Sequence, residues 1–168
     1  MDDQVLAGMM SVARNSIEAK LKLSDPKTFD GPPESLGVFV TLLKDETLRG
    51  CMGHLEPHCA NLVEEVQSCA LAAAFRDPRF EPLTAGEWAA VEMELSFLSP
   101  SEPVDSVAEL DPEQYGVIVE SDGRVGTLLP GIEGIDDAER QVAIAMRKAG
   151  IEPHEAVNLH RYLVRKVR

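Results

Sequence analysis

The sequence predicts an α+β fold: a mainly antiparallel mixed sheet flanked by helices. Two observations lead there. The elements run helix, hairpin, helix, strand, hairpin, helix, strand, without the regular β-α-β alternation that builds a parallel sheet. Two pairs of strand-like segments are joined by tight connections at Asp45-Glu46 and Asp122-Gly123, as antiparallel hairpins require. At 168 residues and 44% hydrophobic, the chain reads as one domain over residues 1–168 that can bury a core without disulfide or metal staples.

Residues 4–21 place Val5, Leu6, Met9, Met10, Ala13, Ile17 and Leu21 at helical spacing. Residues 22–33 contain Pro26, Gly31, Pro32 and Pro33 and read as a loop. Residues 37–44 are β-branched and aromatic enough for a strand, and residues 47–52 return as its hairpin partner. Pro57 suits the first position of a helix, so a helix is expected from there to Phe75. Its apolar stripe is Leu62, Val66, Cys69 and Ala73, with Glu64, Glu65 and Gln67 off it. Residues 76–83 form a loop stiffened by Pro78 and Pro82. Thr84 and Glu87 then have capping-box spacing for a short helix containing Trp88.

Residues 91–98 alternate, with Val91, Met93, Leu95 and Phe97 inward and Glu92, Glu94 and Ser96 outward. Residues 99–112 are a Pro- and acid-rich crossing. Residues 115–120 and 125–129 form the second hairpin. Asp136 caps a helix that ends at Ala149 before Gly150, residues 151–158 hold a short turn, and residues 159–167 are a last strand.

The formal net charge of -13 opposes nucleic-acid binding and docking to an anionic membrane. The N-terminus has no signal-peptide pattern, and no apolar run is long enough to span a bilayer. Three cysteines cannot close a disulfide framework, so a cytoplasmic location with reduced thiols is expected.

Residues 48–57, LRGCMGHLEP, concentrate the chemistry. If Arg49 and Cys51 end a strand they share one face, and a thiol beside a guanidinium is biased toward thiolate. A helix N-terminus just downstream would add to that bias. The other reading of Cys51 is a small apolar residue packed in a tight turn. Cys69 reads as core, and Cys59 fits either role. Cys51, His54, His58 and Cys59 lie at zinc-like separations. Pro57 disfavours helical backbone at Glu56, however, so His54 and His58 cannot pair on one regular helix, and no second ligand cluster follows. No metal and no cofactor are expected. Arg76, Asp77 and Arg79 form either a solvated turn with a local ion pair or an edge that binds carboxylate or phosphate.

The segments LRGCMG, AAAFRDPRF, ELSFLSP, YGVIVE, LLPG and RKAGI, in this order across residues 5–163, resemble the AMMECR domain family. Its bacterial members are called AmmeMemoRadiSam system protein A. Met52 stands where the family hexapeptide LRGCIG has isoleucine, and LPG stands where LPQ is frequent. The resemblance implies two lobes with a cleft near the LRGC motif. It also implies a Memo-like protein and a radical SAM protein as partners. Leu48, Arg49, Gly50, Cys51 and Gly53 carry over on the motif, as do Asp77, Pro78, Arg79 and Phe80.

The resulting expectation is a cysteine-dependent enzyme acting on an anionic small molecule. Cys51, Arg49 and His54 are its candidate catalytic residues. Gly50, Gly53, Arg76, Asp77, Arg79 and Phe80 are its candidate substrate contacts. The alternative is a noncatalytic adaptor that presents the LRGC turn to a protein partner.

Overall fold

A computed structural model describes residues 2–168. The chain divides into two compact units, one of residues up to Leu98 together with Arg165–Arg168, the other Ser99–Val164. The α+β class is what the structure has.

In the first unit, α1 (Asp3–Lys20) starts at Asp2, whose side chain accepts from the Gln4 amide. Its stripe Leu6, Met9, Val12, Ala13 and Ile17 is buried. Asn15, on the same helix, is also buried, and it organises the proline-rich loop that follows. Its amide nitrogen donates to Ser24 Oγ at 3.1 Å and to the Asp25 carbonyl at 3.0 Å, while its oxygen accepts from the Lys27 amide at 2.9 Å. The loop prediction holds, and a buried polar side chain gives that loop its shape.

Strand β1 (Gly37–Lys44) lies between β2 (Thr47–His54) and β3 (Val91–Leu98), antiparallel to both. Val38, Val40 and Leu42 face a core shared with α1 and with α2 (Leu62–Phe75). Helix α3 (Ala85–Trp88) carries the expected capping box: Glu87 Oε2 accepts from the Thr84 amide at 3.2 Å and from its hydroxyl at 3.0 Å.

Three expectations are corrected here. The helix expected from Pro57 begins at Leu62. Asn61 is its cap, with the side chain accepting from the Glu64 amide at 3.0 Å, and the residues before it stay outside the helix. The Cys51 turn therefore does not run straight into a helix N-terminus. Glu65, placed off the apolar stripe, is fully buried. Glu94 and Ser96, expected outward on β3, are buried as well, and Glu94 pairs with Lys166 at 3.3 Å and Arg168 at 2.6 Å.

In the second unit, residues 158–163 of β7 (Asn158–Val167) pair antiparallel with β4 (Glu102–Val104) and β5 (Tyr115–Ser121), and β5 pairs with β6 (Arg124–Leu128). Asp122 and Gly123 turn the β5–β6 hairpin at φ of 48° and 75°. Helix α4 (Ala138–Ala149) is capped by Asp137 and stops at Gly150 in the left-handed region. Val117, Val119, Leu128, Val142, Ala145 and Met146 make this unit's own core. Among the described residues, no helix is long and apolar enough to cross a membrane.

Candidate functional site

The site begins with Gly50. A Cβ added there would lie 2.2 Å from the Ala73 carbonyl oxygen, so only glycine lets α2 approach β2 this closely. Gly50 sits opposite Leu42 in the hairpin register and faces the core; Cys51, opposite Thr41, faces the other way. The Cys51 thiol is half-buried, with Sγ 3.4 Å from Thr41 Oγ1. Thr41 is in turn opposite Glu94 on β3, so Cys51, Thr41 and Glu94 form one row across three strands.

β2 is an edge strand, and its free backbone groups need partners. At Cys51 they find them in the loop after α2. The Cys51 amide donates to Asp77 Oδ2 at 2.9 Å, and its carbonyl accepts from Arg79 Nη2 at 3.2 Å. Asp77 is buried and also accepts from the Arg79 amide at 3.1 Å, from Nε at 2.9 Å and from Nη2 at 2.7 Å. The Arg79 hydrogen bonds, helped by the Cys51 amide, hold the Asp77 carboxyl well below the usual carboxylate range against the opposing effect of burial. The pair acts as a short substitute strand that pins the Cys51 backbone. The Arg79 side chain itself is 54% exposed and offers a guanidinium to solvent.

Arg49 has a different task. The β1–β2 register passes from Leu42↔Gly50 to Leu43↔Leu48, leaving Arg49 as the extra residue of a bulge and interrupting the simple alternation expected between Arg49 and Cys51. Its guanidinium forks onto Glu87, Nε to Oε1 at 3.1 Å and Nη2 to Oε2 at 3.2 Å. Arg49 first, then Thr84, brings the Glu87 carboxyl down to about 2. Arg49 and Arg79 both lie over the Phe80 ring, at 6.0 and 5.5 Å from its centroid. The two guanidiniums and the ring thus form one cluster, joined to the Cys51 backbone through Arg79.

His54 belongs to another. Two residues beyond Met52, it lies on the α2 side of β2. Its Nδ1–H donates to Glu65 Oε1 at 2.6 Å, and its ring stacks on His58 at 3.7 Å. Glu65 Oε2 accepts from the amides of His58 and Cys59, both at 2.8 Å. Burial alone would raise the Glu65 carboxyl, but the hydrogen bonds from His54 and the two amides outweigh it and lower it. Cys69 Sγ lies 3.5 Å from Glu65 Oε1 and 3.8 Å from His54 Nδ1, and burial pushes its thiol up to about 12. The Cys59 thiol is raised too, by burial and by Glu65.

The sequence-selected residues therefore separate. Cys51, Asp77, Arg79, Phe80 and Arg49 come together. Gly50 sets the helix–strand distance beneath them, and Gly53 sits against Phe39 on the hairpin. His54 is on the opposite face, committed to Glu65. Arg76 turns back along α2, donating to the Ser68 carbonyl at 3.2 Å, and takes no part in the Asp77 pair. Sequence reasoning missed Thr41, Glu65, Glu87 and Glu94. Two signals were present. Glu65 falls three residues after Leu62 and four before Cys69, on the buried stripe by spacing. Glu87 was already marked as a capping residue.

An α+β chain whose signature residues build one clamped edge strand is a narrow class, and comparison with known proteins agrees. The AMMECR1 family model matches residues 10–167, and the chain belongs to that family. A protein of Thermotoga maritima is 47% identical over 132 residues, covering 77% of this chain and 76% of its own. A protein of Methanopyrus kandleri is 36% identical over 162 residues, covering 86% of this chain and 77% of its own. The crystal structure of the uncharacterized protein PH0010 from Pyrococcus horikoshii matches with a TM-score of 0.87 at 30% identity, covering 99% of this chain and 92% of that one.

Proposed function

We propose that this chain is a cytoplasmic enzyme that receives an anionic small molecule against Arg79 and Phe80 and uses the Cys51 thiol as nucleophile on it. It would work with a Memo-like protein and a radical SAM protein. One observation carries the reading. The Cys51 amide and carbonyl are both held by the Asp77–Arg79 pair, while its side chain is left half-exposed beside the Thr41 hydroxyl. A nucleophile needs a fixed backbone and a reachable side chain, and this arrangement supplies both. The chemistry it suits is addition of the thiolate to an electrophilic carbonyl carbon. An S–C bond forms, the carbonyl π pair moves onto oxygen, and the thiol proton passes to that oxygen through water. Arg79 would position the substrate's anionic group.

Alkylation tests this directly. Iodoacetamide applied to the folded protein across pH, with each cysteine mapped, is expected to modify Cys51 first. Cys69 is buried with a thiol raised to about 12, and Cys59 is raised as well, so both should lag at neutral pH. A Cys51 no faster than Cys69 would end the nucleophile assignment.

A second reading has its own support. Arg49 with Glu87, and Asp77 with Arg79 and the Cys51 backbone, satisfy one another so completely that they make a rigid surface without any substrate. Such a surface suits an adaptor. Complex formation with the Memo-like or radical SAM protein that survives full alkylation of Cys51 would favour the adaptor over the enzyme.

A further inference from the structure

On the α2 side of β2, away from Cys51, we propose a site for a divalent transition-metal ion of zinc type, held by His54, Glu65 and Cys69. The donor atoms of these three residues lie within 4.8 Å of one another, the one such group of metal-ligand side chains among the described residues. The placement follows from the fold. Glu65, Cys69 and Ala73 succeed each other at four-residue steps along one face of α2. Gly50, Met52 and His54 succeed each other at two-residue steps along one face of β2. The contact between Gly50 and the Ala73 carbonyl sets the two rows close together and in opposite directions, so His54 arrives over Glu65 and Cys69.

The distances suit an ion of that size. Tetrahedral zinc with bonds of about 2.0–2.3 Å separates a sulfur from a nitrogen or oxygen ligand by roughly 3.5 Å, and the nitrogen from the oxygen by roughly 3.3 Å. Cys69 Sγ lies 3.5 Å from Glu65 Oε1 and 3.8 Å from His54 Nδ1. Only the His54–Glu65 pair, hydrogen-bonded at 2.6 Å, must open, by about 0.7 Å on the same zinc geometry. A small rotation of the partly exposed His54 ring provides that.

The carboxylate is already oriented. The His58 and Cys59 amides hold Oε2, leaving Oε1 aimed at the other two donors, the kind of outer contact that steadies a metal ligand. The donor set of thiolate, imidazole and carboxylate is one that borderline-soft divalent ions take and magnesium or calcium do not.

Protons and charge balance. The Cys69 thiol proton leaves to solvent. The hydrogen on His54 Nδ1 leaves while Nε2 gains one, so the ring stays neutral. One proton is released per ion, and thiolate and carboxylate offset its two positive charges. Three protein ligands leave a fourth position for water or another donor.

Cobalt(II) titration of the full-length protein tests the site. The expected result is one equivalent bound, with visible bands of a four-coordinate ion and thiolate-to-cobalt charge-transfer absorption, displaced by zinc. Cys51→Ala should leave the spectrum unchanged. Cys69→Ala, a helix-favouring exchange, should abolish the charge-transfer absorption and weaken binding at least about tenfold. His54→Gln, a change on β2 that keeps a side-chain donor for Glu65, should also weaken binding and serves if Cys69→Ala does not fold. No cobalt absorption in the wild-type protein would overturn the proposal. So would a charge-transfer band that persists without the Cys69 thiol, or cobalt binding that His54→Gln leaves unchanged.

Discussion

Gly50→Ala is expected to destabilise the first unit by prising α2 away from β2. The new Cβ would stand 2.2 Å from the Ala73 carbonyl oxygen and 3.2 Å from its carbonyl carbon. Both obstructing atoms are backbone, so no rotamer change relieves them. Helix α2 must move off β2 by about 1 Å, loosening the packing of a helix whose Leu62, Val66, Cys69 and Ala70 are fully buried. Overpacking of this kind costs about 3 kcal/mol or more. Urea denaturation should show the loss, and Ala73→Gly should not rescue it, because the oxygen in the way remains. The same displacement pulls Glu65 and Cys69 from His54, so the variant should also lose the cobalt charge-transfer signal. A denaturation midpoint equal to wild type would refute the packing account.

Asp77→Ala is expected to be nearly as costly, for a different reason. Asp77 accepts four hydrogen bonds, from the Cys51 amide and from three Arg79 groups. Removing it leaves the edge of β2 unpaired at Cys51 and frees the loop that carries Arg79. The Arg79 side chain is 54% exposed, so its charge is not stranded in the interior, and the cost is the lower part of the range for broken buried pairs, about 2–3 kcal/mol. That corresponds to a fall in Tm of roughly 5–10 °C.

The pH dependence has a definite sign. Asp77 and Glu87 both have folded-state values below their unfolded ones, Glu87 at about 2. The unfolded chain therefore binds more protons in acid. The stabilisation is complete above the unfolded value of about 4 and is lost as pH falls toward the folded values. Wild-type stability should decline below about pH 4, and the decline should be shallower in Asp77→Ala and in Glu87→Gln. Parallel curves for all three proteins would show that these carboxylates do not carry the acid sensitivity.

How much of this was legible depended on range. Residue type was enough for Gly37–Lys44 and alternation for Val91–Leu98, whose bounds match the strands, and Thr84 with Glu87 marked the start of α3. Pro57 misled because a good first helical residue does not oblige a helix. Asn61 is the stronger cap, and the Glu65 carboxylate draws the His58 and Cys59 amides into a loop over the helix start. Residue type hid Glu65, since an acid was assigned outward although its spacing set it inward.

The site followed the same pattern. The Asp77–Arg79 pair spans two residues and was within reach of local reasoning. The Asp77 contact to Cys51 spans 26 residues and the Arg49 fork to Glu87 spans 38, and no local pattern encodes those. His54 was grouped with Cys51 because it is near in sequence. Strand alternation, applied three residues further, places it on the other face.

The central proposal is that Cys51 works beside an anion-attracting guanidinium, that of the exposed Arg79. The most direct measurement compares two alkylating agents that differ in charge, iodoacetate and iodoacetamide, at each cysteine of the folded protein at low ionic strength. Cys59 lies beside Glu65 in the same chain and provides the internal reference. The account predicts a higher iodoacetate-to-iodoacetamide rate ratio at Cys51 than at Cys59, with the difference shrinking as salt is added. A ratio at Cys51 equal to or below that at Cys59 would contradict it.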